Sequence, residues 1–118
     1  MAYTAKFQAI ADAARARVEA VASADVDELV AAGALLLDIR DKDEFDNGHI
    51  AGALHVSRGK LEMNIEAAIP DLQTSILCYC NANNRGALSA DSLRSMGYVN
   101  AKFILGGRAA YLALETAP

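Results

Sequence analysis

Apolar and polar residues in this chain follow two different periods, and their alternation predicts the elements. Between residues 4 and 20, Phe7, Ile10, Ala14, Val18 and Val21 recur at helical spacing with charged residues between them. Asp25 followed by Glu28 reads as a capping box opening a second short helix, which Gly33 ends. Leu35-Leu36-Leu37-Asp38-Ile39 is an apolar run of the kind found in strands buried on both faces. Asp43 to Asn47 predicts one helical turn closed by Gly48, and Ala53 to Val56 a brief strand. Leu61 to Ala68 predicts a helix before Pro70, and Ser75 to Tyr79 a buried strand. A helix follows from Ala87 to Met96, with Gly97 as its terminator; Ser89, Ala90, Leu93 and Met96 share its inner face. Ala101 to Leu105 is the last strand, and Gly106-Gly107 turn the chain into a helix through Leu114.

Short buried strands alternating with helices define an α/β domain with a mainly parallel central sheet flanked by helices. The amphipathic segment over residues 1–20 is an extra N-terminal helix, and residues 21–118 form the domain proper. That helix packs on its own domain or, alternatively, joins two copies as a homodimer. A chain of 118 residues suits a single core. Its 11 basic and 15 acidic residues leave a net charge of −4, with no basic stripe for nucleic acid or an anionic membrane. No segment approaches a membrane span, and Lys6, Asp12, Arg15 and Arg17 interrupt any apolar leader. A reducing, cytoplasmic setting is the expectation. Cys78 and Cys80 are too close for a disulfide framework, and with only His49 and His55 beside them they do not suggest a metal site.

Cys80 carries the candidate chemistry. It stands between a buried strand and a helix N-terminus, where unpaired N–H groups and the helix dipole stabilise negative charge on sulfur. In parallel sheets, ligands gather at this carboxyl end of the strands. The following residues, Asn81, Ala82, Asn83, Asn84, Arg85 and Gly86, include three asparagines and a glycine that tolerate unusual backbone angles. Their N–H groups are expected to form an anion-binding nest, with Arg85 adding permanent charge. Two thiol chemistries use such a cradle. A cysteine phosphatase needs a loop one residue longer to surround phosphate, and it benefits from a general acid. Four residues separate Cys80 from Arg85 here, a smaller ring suited to one extra sulfur atom.

The motifs together resemble the single-domain rhodanese family of sulfurtransferases over residues 21 to 115. They are Leu36-Leu37-Asp38-Ile39-Arg40, Glu44-Phe45 and Gly48-His49-Ile50-Ala51-Gly52-Ala53 upstream, Cys80 through Arg85, and Gly97-Tyr98 followed by Leu105-Gly106-Gly107. The resemblance implies a catalytic Cys80 that takes a sulfane sulfur from a small anion such as thiosulfate, becomes a persulfide, and passes the sulfur to cyanide, a thiol or a protein acceptor. It implies no metal or organic cofactor. Asn81 to Gly86 would bind the transferred group, and Asp38 and Arg40 would be a structural charged pair. A non-catalytic persulfide carrier or sensor, or a cysteine phosphatase or arsenate reductase, is the alternative. Three positions depart from the family pattern. Asn83 replaces a loop glycine; it can still adopt a positive φ but leaves the pocket narrower. Ala51 replaces a proline, a change expected to be mild, and Arg108 replaces an aromatic residue and could add a second cation near the pocket mouth.

The remaining candidates divide by location. Cys78 belongs to a buried strand and is expected in the core. His49 and His55 are expected to be structural. Arg58, after a strand end, is a candidate binder of an anionic donor. Asp41 to Asp46 reads as a solvated acidic turn.

Overall fold

In a computed structural model, which describes residues 3–115, the strands are β1 (Ala20–Val21), β2 (Leu35–Asp38), β3 (Leu54–His55), β4 (Ile76–Tyr79) and β5 (Ala101–Ile104). All pair in parallel, in the spatial order β1-β5-β4-β2-β3. The helices are α1 (Ala5–Arg17), α2 (Val26–Ala31), α3 (Lys42–Asp46), α4 (Leu61–Ala68), α5 (Asn84–Ser95) and α6 (Gly107–Glu115). The expected α/β architecture, a parallel sheet flanked by helices with one more helix at the N-terminus, is what the chain forms. Residues 1–2 and 116–118, the outer ends of the two expected segments, lie outside the described residues.

Strand alternation divides the interior into two cores. Leu37, Ile39, Ile76, Cys78 and Cys80 face one side, against Leu61 and Ile65 of α4 and Ala87, Ala90 and Leu93 of α5. Leu36, Leu77, Tyr79 and Ile104 face the other, against Val26 and Leu29 of α2 and Tyr111 of α6. Central strands covered on both faces need near-continuous apolar sequence, which is why β2 and β4 were legible as runs rather than alternations.

Three expectations need correction. The first helix ends at Arg17, because Val18 turns extended (φ −123°, ψ 157°) and the next residues form β1 beside β5. Its inner face is Ala11 and Ala14, both fully buried, while Ile10 is 60% exposed. Small residues win here because α1 packs closely on α5, where Arg17 grips Asp91 (2.9 and 2.7 Å) and Gln8 exchanges amide hydrogen bonds with Asn84 (3.3 and 3.1 Å). The inner face of α1 is therefore taken up by its own chain.

Asp25 makes no capping hydrogen bond, because a 3-10 turn over Ser23–Asp25 leaves it helical (φ −95°, ψ −6°) rather than extended. The box signature appears instead at α3, where extended Asp41 precedes the helix and the Glu44 carboxylate accepts from the Asp41 N–H at 3.1 Å. Finally, α5 begins at Asn84 rather than Ala87, so Arg85 and Gly86 belong to its first turn. No described helix is long and apolar enough to cross a membrane.

The register of α1 is open to test. Ile10→Ser should leave stability within about 0.5 kcal/mol of the parent, as for an exposed position. Ala14→Leu should overpack the α1–α5 contact and cost about 1–3 kcal/mol. Urea denaturation measures both, and the reverse order would show that the bulky stripe is the packed one.

Candidate active site

Cys80 follows β4 directly, at the carboxyl end of the central strands. Both cysteines are free thiols, but their surroundings differ. Cys78 is fully buried in the first core, and burial pushes its thiol up to about 12, with Arg58 opposing and Cys80 adding to the rise. It is a protonated core side chain at neutral pH, as expected. Cys80 is 3% exposed and lies against a cavity of about 410 Å³.

The loop around Cys80 is held from behind by the N-terminus of α6. The Arg108 N–H donates to the Cys80 carbonyl at 2.8 Å, and the Ala109 N–H to the Asn81 carbonyl at 3.2 Å. The Gly106 N–H donates to Asn83 Oδ1 at 2.7 Å. Gly107 makes this approach possible. Its φ is +57°, and a Cβ there would lie 2.4 Å from the Cys80 carbonyl oxygen and 2.5 Å from that of Ala82. In a trans peptide the N–H points opposite to the C=O. Carbonyls of Cys80 and Asn81 drawn toward α6 therefore leave the Asn81 and Ala82 N–H groups on the opposite side of their peptides. From the front, the Gly86 N–H donates to Cys80 Sγ at 3.3 Å. That donor comes from the first turn of α5.

A chain of charged and amide groups braces one side of the loop. Buried Asp38 and Arg40 pair through both carboxylate oxygens (2.7 to 3.1 Å), and Arg40 also donates to the Gly48 carbonyl at 2.7 Å. Arg40 Nη1 reaches Asn81 Oδ1 at 3.2 Å, and Asn81 Nδ2 reaches Glu44 Oε2 at 2.8 Å. Glu44 in turn holds Arg85 in a two-pronged pair at 2.7 and 3.0 Å. Hydrogen bonding from Arg85 lowers the Glu44 carboxyl to about 2, with the Asp41 N–H and Asn81 assisting and partial burial opposing. Glu44 is thus a structural carboxylate rather than part of a solvated turn. Its place in the capped start of α3 was the available signal.

The cavity brings together most of the expected residues: Asn81, Ala82, Asn83, Asn84 and Arg85 line it with Cys80. Gly86 contributes through its N–H instead. Asn83 keeps a negative φ (−120°), so it does not imitate a loop glycine; its amide anchors the loop to Gly106. Arg58 lies outside the cavity lining and donates to Glu62 at 2.8 Å. Arg108 is likewise not at the pocket mouth. Its guanidinium lies against Gly48, where a Cβ would come within 2.8 Å of Nη2, and its buried Nε has no hydrogen-bond partner among the described residues. His49 stacks on Phe45 at 3.7 Å and bonds the Phe45 carbonyl, while His55 bonds the Arg40 carbonyl. Both are structural. The sequence reading missed the opposite wall, which α1 and the residue preceding its cap supply as Tyr3, Phe7, Gln8 and Arg15. Phe7 and Arg15 stand eight residues apart, on one helix face, which was the signal to find.

This fold and loop place the chain in a known class: it belongs to the rhodanese-like domain family, whose model matches residues 22–114. The thiosulfate sulfurtransferase GlpE of Coxiella burnetii is 33% identical over 73 residues, 62% of this chain and 66% of that protein. The chain thus spans a little under two thirds of the length of the first curated relatives it matches, 66% in that case and 62% for Escherichia coli PspE. Among solved structures, human single-domain sulfurtransferase TSTD1 is 25% identical, with a TM-score of 0.73, over 86% of this chain and 99% of that one. A protein of unknown function from Rhodopseudomonas palustris, described as a possible tyrosine phosphatase, is 26% identical with a TM-score of 0.85. That match covers 98% of this chain and 95% of the other, whereas the family model begins only after α1.

The Glu44–Arg85 pair predicts a specific acid response. Folding lowers the proton affinity of Glu44, so its contribution is complete above the ordinary value of 4.5 and is lost as pH falls through about 2. Glu44→Gln should be about 1–2 kcal/mol less stable than the parent at pH 7, the scale of a partly exposed charge-assisted pair. Urea denaturation across pH should show that gap narrowing steadily below pH 4.5. A gap unchanged down to pH 2 would contradict the assigned pair.

Proposed function

We propose that the protein is a sulfurtransferase working through a persulfide on Cys80. The observation that carries this reading is the cradle: the Gly86 N–H lies on Cys80 Sγ at 3.3 Å, in a loop whose carbonyls α6 draws away from the cavity. The Cys80 thiolate attacks the outer sulfur of a donor such as thiosulfate. A new S–S bond forms to Cys80, the donor's own S–S bond breaks, and its electron pair leaves with sulfite. Sulfite is a stable anion that needs no proton to depart, so the lack of a general acid beside Cys80 in sequence is no obstacle. The resulting persulfide anion sits among N–H donors that favour its charge. A thiolate or cyanide then attacks the outer sulfur, and Cys80 leaves as the thiolate it was. Neither half-reaction calls for a cofactor. A reducing compartment such as the cytoplasm keeps Cys80 free between turnovers.

The description of the Rhodopseudomonas neighbour raises a phosphatase as the second reading. Two features weigh against it. The loop is short for a phosphate and its oxygens, and Glu44 already occupies the Arg85 guanidinium that would bind them.

Intact mass after incubation with thiosulfate tests the reading. The protein should gain about 32 Da, one sulfur, by thiolate attack on sulfane sulfur. Added cyanide should remove the gain and yield thiocyanate, and an aryl phosphate should not be hydrolysed. A Cys80→Ala variant that still acquires the sulfur would contradict the mechanism. A persulfide that cyanide cannot discharge, but a protein thiol can, would favour a carrier instead.

A further inference from the structure

Helix α5 begins without a side-chain cap of its own. Its N-cap residue, Asn83, makes no capping hydrogen bond, because the Asn83 amide oxygen is taken by the Gly106 N–H at 2.7 Å. N-cap side chains ordinarily accept from the second or third N–H of a helix. The third residue of α5 is Gly86, and its N–H goes to Cys80 Sγ at 3.3 Å. The sulfur thus stands where a capping oxygen would. The direction of that N–H depends on what holds the first turn of α5.

Two side chains of this turn are held from outside the helix. Glu44 grips Arg85 on one side. Asn84, the first residue of α5, exchanges two amide hydrogen bonds with Gln8 of α1. Gln8 Nε2 donates to Asn84 Oδ1 at 3.3 Å, and Asn84 Nδ2 donates to Gln8 Oε1 at 3.1 Å. Gln8 Nε2 also donates to Asp12 Oδ1 at 2.8 Å, one turn along α1. An ionised carboxylate only accepts, so Asp12 sets which way the Gln8 amide faces and thereby which way Asn84 must face. Helix α1 ends at Arg17, before the family-matched segment begins at residue 22.

Resting on the Cys80 chemistry proposed above, we infer that Gln8 is a positioning residue for the reacting sulfur. Through Asn84 it holds the first turn of α5, so that the Gly86 N–H stays on Sγ while Cys80 carries negative charge, first as thiolate and then as persulfide. Gln8 acts through Asn84 and needs no contact with the donor. The other side-chain tie between α1 and α5, Arg17 on Asp91, lies about two turns further along α5 and has no part in this.

Alkylation of Cys80 by iodoacetamide in the full chain, located by peptide mass, tests the role without any sulfur donor. Gln8→Leu removes the amide and keeps much of the side chain's bulk. It should slow alkylation at pH 7 about tenfold, the scale of one weakened hydrogen bond to a charged group. At pH 10, where an ordinary thiol is ionised, variant and parent rates should converge. Asn84→Ala should behave alike, and the double variant should be no slower than either single one, because both cut the same link. Arg17→Gln should be alkylated at the parent rate. The rate of persulfide formation from thiosulfate should rank the variants in the same order. A Gln8→Leu protein alkylated at the parent rate overturns the inference, as do a loss undiminished at pH 10, additive losses in the double variant, or an equal loss in Arg17→Gln. If the parent gains no sulfur from thiosulfate while alkylation follows the predicted pattern, the sulfurtransferase reading fails and the positioning role stands.

Discussion

The contact between the N-terminus of α6 and the loop after β4 is the constraint on which the candidate site rests. Backbone polar groups near the end of a buried strand must find partners, and a loop has two ways of turning them. Here three N–H groups of the Gly106–Ala109 turn take the carbonyls of Cys80 and Asn81 and the amide oxygen of Asn83. With those acceptors committed behind the loop, the Gly86 N–H donates to the sulfur. Gly107 is what lets the two segments meet, since any side chain there would overlap the Cys80 and Ala82 carbonyls. Site chemistry and chain packing are one arrangement seen from two sides.

Charge is placed just as deliberately. Asp38 and Arg40 are buried together, and Arg40 passes its orientation to Asn81 and then to Glu44. A buried pair of this sort does little for net stability once desolvation is counted, but removing one partner strands the other. Its value here is positional: it fixes the outer side of the Cys80 loop. Glu44 then neutralises Arg85, the loop's own cation. The cavity is consequently less cationic than the bare motif implies. Of the two cations lining the cavity, Arg15 of α1 is left without a carboxylate partner among the described residues.

Much of this was legible in the sequence because it is local. The buried strands β2 and β4 announce themselves as apolar runs, Gly97 closes α5, and Cys80 stands on the strand-to-helix turn where the pattern puts it. What could not be read was set by contacts between distant segments. Ile10 outranks Ala11 as a core residue on hydrophobicity, yet two closely packed helices prefer the alanine. Asn83 can take a glycine's positive φ, yet it keeps a negative one and acts through its side chain on Gly106, which only the fold brings near. Arg85 was expected to face a ligand, and its partner Glu44 is 41 residues away. The Asp25 box failed because a preceding 3-10 turn, invisible in composition, put that residue in a helical conformation.

The central claim is that α6 shapes the Cys80 loop into a cradle for charged sulfur, and Gly107→Ala tests it most directly. The added Cβ cannot fit against the Cys80 and Ala82 carbonyls, so the clamp must open while the sheet and both cores keep their residues. The measurement is the rate at which the folded variant, verified by circular dichroism, gains one sulfur from thiosulfate. The account predicts a loss of at least about a hundredfold, the scale of removing preorganised N–H donors from a developing anion. A folded Gly107→Ala protein that forms its persulfide at the parent rate would contradict it.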